Sequence, residues 1–128
     1  MYVLVLCVCT GSEKYRQLEA VHGDTVTMSC YAAPSSDVMW IQNMTNGYFN
    51  HVYENGTIKG YLNIPLLFSV VNASAGDYSL KIYNVQPIYS GLYDCYDSNH
   101  GIRITGYYLV AEGVFRNVSK KLPSLAGY

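Results

Sequence analysis

Ser79-Leu-Lys-Ile-Tyr-Asn-Val-Gln-Pro-Ile-Tyr-Ser-Gly-Leu-Tyr-Asp-Cys95 is the stretch that decides the fold of this 128-residue chain. With Tyr78 before it, its first half alternates: Tyr78, Leu80 and Ile82 share one face, and Ser79, Lys81 and Tyr83 the other. A period of two is the signature of a half-buried strand. Gln86-Pro87 turns a corner, since proline has no N–H for a sheet ladder. Gly91 to Tyr96 then reads as a second strand, closed by the polar turn Asp97-Ser-Asn-His-Gly101. Within that strand Tyr93 stands two residues before Cys95.

The same punctuation recurs outward from this stretch. Val26, Met28 and Cys30 alternate with Thr25, Thr27 and Ser29, after the turn His22-Gly23-Asp24. Pro34 to Asp37 interrupts, and Val38 and Trp40 resume on one face with Met39 and Ile41 on the other. Leu18 to Val21, Tyr48 to Tyr53, Thr57 to Leu62, Leu66 to Val71 and Ile102 to Ala111 read as further strands, and Asn55-Gly56 is a strong hairpin signal. No stretch sustains a helical period. About nine short strands at regular spacing predict an all-β sandwich of antiparallel strands.

Composition narrows the rest. Half the residues are hydrophobic, so the chain can fill a core, and 128 residues fit one domain. The net charge is −1 with no basic stripe, which argues against nucleic acid as a partner. Fourteen tyrosines suit both pleated strands and interfaces. Residues 1–11 form a short apolar start with too few residues to span a bilayer. Two readings fit it: a secretory signal peptide, although a basic leading region is missing, or a first strand that stays in the mature protein. The signal reading is the expectation, and it removes Cys7 and Cys9 with the segment. Cys30 and Cys95 remain, and two cysteines in a secreted domain read as one disulfide. Four N-glycosylation triplets, at Asn43, Asn55, Asn72 and Asn117, agree with an extracellular chain. Residues 114–128, where the strand pattern fades, read as a stalk or linker after a domain spanning 12–113.

Cys30, Trp40, Tyr93 and Cys95, together with Gly23-Asp-Thr-Val-Thr-Met-Ser-Cys30 and the quoted stretch, resemble the variable-set immunoglobulin family over roughly residues 13–112. The resemblance implies a tryptophan packed on an inter-sheet disulfide, and a tyrosine corner in which the Tyr93 hydroxyl bonds back to the preceding loop. The 65-residue separation of the cysteines leaves room for the two extra strands of the variable type. The chain departs from the family pattern in two places. Tyr89 stands where the family has an aspartate, and no arginine lies between Arg16 and Arg103 to pair with one, so Tyr89 packing is expected to hold that corner. The last strand lacks the Phe-Gly-x-Gly bulge of rearranged antigen receptors, which points to an invariant receptor-type domain.

Enzyme chemistry finds little footing. His22, His51 and His100 fall at turns or exposed strand positions, no metal-ligand spacing occurs, and both remaining cysteines are taken up by the fold. His100 and Asp97 read as two polar residues of one tight turn. No cofactor, catalytic residue or small-molecule substrate is expected. The resemblance implies an extracellular recognition domain, cell-surface or secreted, that binds a protein ligand or counter-receptor. Two alternatives stay open: a viral or secreted immunoglobulin-like glycoprotein that mimics host receptors, and a structural module of a larger adhesion protein. If Trp40 and Cys95 face inward, Met39, Ile41, Asp94 and Tyr96 face outward on the sheet that holds the family's C, F and G strands. Tyr107 or Tyr108 joins them, and Tyr107 is taken as the fifth member of this binding face. Partner binding or homodimer formation is expected there, because Asn55 and Asn72 fall at the loop tips and Asn43 near a turn at the opposite end, leaving the face free of glycan.

Overall fold

The computed structural model describes residues 15–59 and 67–113. The expected signal segment at 1–11, with Cys7 and Cys9, and the expected stalk at 114–128, with Asn117, lie outside the described residues. The described chain contains nine strands: β1 (Tyr15–Val21), β2 (Val26–Met28), β3 (Val38–Met44), β4 (Phe49–Glu54), β5 (Thr57–Ile58), β6 (Phe68–Asn72), β7 (Asp77–Ile82), β8 (Gly91–Asp97) and β9 (Ile102–Glu112). They form a six-stranded sheet in the order β1-β9-β8-β3-β4-β5 and a three-stranded sheet in the order β2-β7-β6. Every pairing among them is antiparallel except that of β9 with β1. Two extra strands, β4 and β5, extend the sheet of β3, β8 and β9, as the variable type requires.

Alternation places the core where the sequence puts its apolar residues. Tyr78, Leu80 and Ile82 of β7 are buried, as are Val38, Trp40, Gln42 and Met44 of β3. Cys30 and Cys95 form the disulfide that ties the two sheets, with Cα atoms 6.6 Å apart. Trp40 is fully buried, and its indole N–H donates to the Tyr78 carbonyl at 2.7 Å. Its ring lies 6.3 Å from that of Tyr107, whose hydroxyl donates to the Ser29 carbonyl at 2.8 Å. Both aromatics therefore satisfy their polar handle while burying the ring.

Strand β3 runs from Val38 through Ile41 to Met44. Gln42 can point inward because its Nε2 donates to the Tyr93 hydroxyl at 3.1 Å. The Tyr93 hydroxyl in turn donates to the Tyr89 carbonyl at 2.6 Å, so the tyrosine corner is present. A buried amide with a partner costs little; one without would cost about 1–3 kcal/mol. The corner that lacks the family's salt bridge is closed by two rings. Phe68, at the start of β6, and Tyr89, in the short 3-10 turn Pro87–Tyr89, are both buried with centroids 6.0 Å apart. This pair adds about 0.5–1.5 kcal/mol beyond its area burial.

The last strand carries a bulge although the Phe-Gly-x-Gly motif is missing. The β9–β8 register shifts between Arg103 and Thr105, so Ile104 is an extra residue in β9.

Candidate functional site

Three cross-strand rows make up the outer face of the six-stranded sheet. The row nearest the loop tip is Arg103, Tyr96 and Met39. The middle row is Tyr15, Gly106, Asp94, Ile41 and His51. The third is Gln17, Tyr108, Leu92, Asn43 and Phe49. Successive rows lie two residues apart along each strand, about 7 Å.

Four of the five residues expected on this face are on it: Met39, Ile41, Asp94 and Tyr96 stand in the first two rows. Tyr107 is not. It points into the core, 4% exposed, and Tyr108 takes the outward place. The bulge at Ile104 is the reason. An uninterrupted ladder would set residue 107 opposite Leu92, outward; the extra residue sets Tyr108 there. A shift of one residue moves every later side chain to the other face.

Asn43 lies near the β3–β4 turn, as expected, yet it also stands on the outer face. It lies within β3, exposed, with Leu92 and Phe49 as its cross-strand partners. The first residue of its triplet therefore stands on the outer face, and the third, Thr45, falls in the turn that follows. Asn55 occupies the β4–β5 turn with a positive φ of 55°, and Asn72 ends β6, where its side-chain oxygen accepts from the Ser74 hydroxyl at 3.0 Å. Both are exposed.

Asp94 is the electrostatic centre of the middle row. Its side chain accepts from Arg103 Nη1 at 3.0 Å and from the Tyr15 hydroxyl at 3.1 Å. The Arg103 guanidinium lies 4.4 Å over the Tyr15 ring. Gly106 is the floor of this cluster: a Cβ there would stand 2.8 Å from each of Arg103 Nη1, Asp94 Oδ1 and Tyr15 Cε1. Asp94 is 9% exposed and already matched in charge, so it shapes the face instead of reaching for a partner. Phe49 and His51 of β4 follow the outward alternation of their strand and stack edge to face at 5.6 Å. A strand over Tyr48 to Tyr53 sets these two on one face, without saying which face is outward. Tyr15 and Arg103 carry no comparable signal: Tyr15 precedes the first expected strand, and Arg103 lies beyond a polar turn from the motif that contains Asp94.

Burial, followed by the hydrogen bond to Asp94 and its charge, pushes the Tyr15 phenol up to about 12. A raised phenol retains its proton in the folded chain while the unfolded chain ionises near pH 10. Its contribution to stability is therefore complete below about pH 10 and lost as pH rises through about 12. Urea midpoints of the wild type and Tyr15→Phe, compared at intervals from pH 8 to the alkaline limit of folding, should show a wild-type advantage that shrinks above about pH 10. A constant gap across that range would contradict the assignment.

At the tip, His100 Nδ1 lies 2.9 Å from Asp97 Oδ2, and the backbone N–H of Asn99 donates to Asp97 Oδ1 at 3.0 Å. The His100 contact, first among several, holds the Asp97 carboxyl below its ordinary range. The pair closes an exposed turn.

No protein-family model matches the chain, and no curated protein does. Its fold is found among solved structures. Tim-2 superimposes with a TM-score of 0.62 at 19% identity, over 80% of this chain and 96% of that one. The first immunoglobulin domain of the mouse polymeric immunoglobulin receptor gives 0.62 at 16% identity, over 80% and 94%. Dpr1 IG1, solved bound to DIP-eta IG1, gives 0.60 at 22% identity, over 77% and 90%. The sheet order, the disulfide, the tyrosine corner and these likenesses together show that the chain has the immunoglobulin fold in its variable-type arrangement.

Proposed function

We propose that the chain is an extracellular recognition domain that binds a protein partner with the outer face of its six-stranded sheet, through the two rows nearest the loop tip. One observation carries this reading. Met39, Ile41 and Tyr96 stay partly exposed around an Asp94–Arg103 pair that neutralises itself. A flat, apolar, charge-balanced patch of this kind has the composition of an interface core, from which unpaired charge is depleted. The same patch on an isolated domain would leave its apolar area facing water. The disulfide supports an oxidising, extracellular setting. The similar domain Dpr1 IG1, solved bound to another IG1 domain, supports a partner of the same general fold, which includes a second copy of this chain.

The test uses the chain secreted from animal cells and joined into tetramers, applied to an array of cell-surface ectodomains that includes itself. Ile41→Lys sits beside Asp94 and Tyr96→Glu beside Arg103, so each new charge meets an opposite neighbour and the fold is spared. The double variant is expected to weaken binding about tenfold or more, because both charges would be desolvated on docking. Val71→Ser, on the other sheet, should leave binding as it is. Undiminished binding by a double variant that melts at the wild-type temperature would overturn the reading.

A further inference from the structure

The third row of the outer face differs from the two above it. Tyr108 is 38% exposed and Phe49 57% exposed, the two largest apolar exposures on this face. Asn43 stands between them, with Leu92 separating it from Tyr108. Beside this row lies a shallow groove of about 440 Å³ lined by Tyr15, Asn43, Met44, Thr45, Gly91, Leu92 and Tyr108. Asn43 and Thr45 are the first and third residues of the glycosylation triplet Asn43-Met-Thr45. The groove therefore contains its own attachment point.

We propose that Asn43 carries an N-linked glycan whose first N-acetylglucosamine lies in this groove against Tyr108 and Leu92, and that the glycan closes the lower third of the outer face. The proposal rests on the extracellular reading above. Three observations converge on it. A pyranose ring has an apolar face of C–H groups and an edge of hydroxyls, which fits a lining in which Leu92 and Tyr108 stand with the polar Asn43 and Thr45. The sugar is tethered to the wall of its site, so it needs no intrinsic affinity to reach it, and the effective concentration of a short link is high. Tyr108 and Phe49 lie on both sides of the attachment point, where a free surface would leave them facing water. A glycan in this place also sets the boundary of the binding face. Ile41 is one row above Asn43 and Met39 two rows above, about 7 and 13 Å along the strand. A partner would then be confined to the upper two rows.

The full chain secreted from glycosylating cells tests this. Glycopeptide mass spectrometry is expected to find Asn43 occupied. Trimming with an endoglycosidase that leaves one N-acetylglucosamine should preserve the melting temperature and the slow amide exchange of residues 91–93 and 107–109. Asn43→Gln should lower that temperature by several degrees and speed exchange in those segments. In a Tyr108→Ser background the trimmed chain and Asn43→Gln should melt together, because the sugar has lost its seat. An occupied Asn43 whose loss alters neither melting nor exchange overturns the seat. A bare Asn43 beside an occupied Asn55 or Asn72 also overturns it and leaves the extracellular reading standing. Bare asparagines throughout overturn the seat as well.

Discussion

Replacing both disulfide cysteines, Cys30→Ala with Cys95→Ala, is expected to lower the unfolding free energy by about 4 kcal/mol. The bond closes a loop of 65 residues, and the entropy it removes from the unfolded chain grows with the logarithm of that length. Both sulfurs are also buried in the core that holds Trp40 and the β7 side chains, so their loss leaves a small void that the packed rings cannot refill. A domain of this size holds about 5–15 kcal/mol in all, so the loss takes a large part of the margin. Urea titration of the variant against the oxidised wild type would read it as a lower midpoint. Wild type treated with reductant should unfold with the variant. A loss below about 1 kcal/mol would mean that the unfolded chain is already compact enough for the crosslink to constrain little.

The residues of that prediction are also the ones most legible in the sequence. Cys30, Trp40, Tyr93 and Cys95 announce themselves by alternation and spacing, and alternation is a local property of the chain. What stays hidden depends on longer-range pairing. Tyr107 and Tyr108 are adjacent aromatics, and nothing local says which one faces out; a single extra residue at Ile104 decides it. Gln42 and Asn43 look like the polar end of a strand, yet Gln42 is fully buried because Tyr93, on the neighbouring strand, offers a hydroxyl. Because β3 continues to Met44, Asn43 stands on the sheet face as well as near the turn, and the expectation that the face lies clear of glycosylation triplets falls. Phe68 and Tyr89 show the opposite case. The missing salt bridge is visible as absent residues, and the Tyr89 side of the replacement can be anticipated, whereas its partner ring is found only in space.

The cluster around Asp94 belongs to the same class of hidden features. Its members come from β1, β8 and β9, and in sequence they lie 79 and 9 residues from Asp94. No local pattern links Tyr15 to Asp94. The parallel pairing of β1 with β9 brings them together, and Gly106 leaves the space in which they meet. Charge balance on the outer face is thus a tertiary property, and it is what allows Met39, Ile41 and Tyr96 to form an apolar surround without an exposed ion at its centre.

Gly91→Ala is expected to destabilise the domain by roughly 3–5 kcal/mol, the sum of an overpacked contact and a strained backbone. Gly91 opens β8 with φ of 149°, and a Cβ there would come within 2.5 Å of the Asn43 carbonyl oxygen and 2.6 Å of the Met44 Cα. Both atoms are backbone in a strand held on two sides, so neither can swing away as a side-chain end would. Gly47 provides the comparison. It also has a positive φ, 94°, but a Cβ there meets nothing within 4 Å, so Gly47→Ala carries only the conformational cost, about 1–2 kcal/mol. The difference between the two variants, measured by urea unfolding, isolates the close approach of β8 to β3 from the cost of φ alone. Equal losses would show that the strands can part at that end without penalty. A large excess at Gly91 would show that the approach is rigid. That rigidity bears on the outer face, because the same approach of β8 to β3 sets Leu92 beside Asn43, and both line the groove.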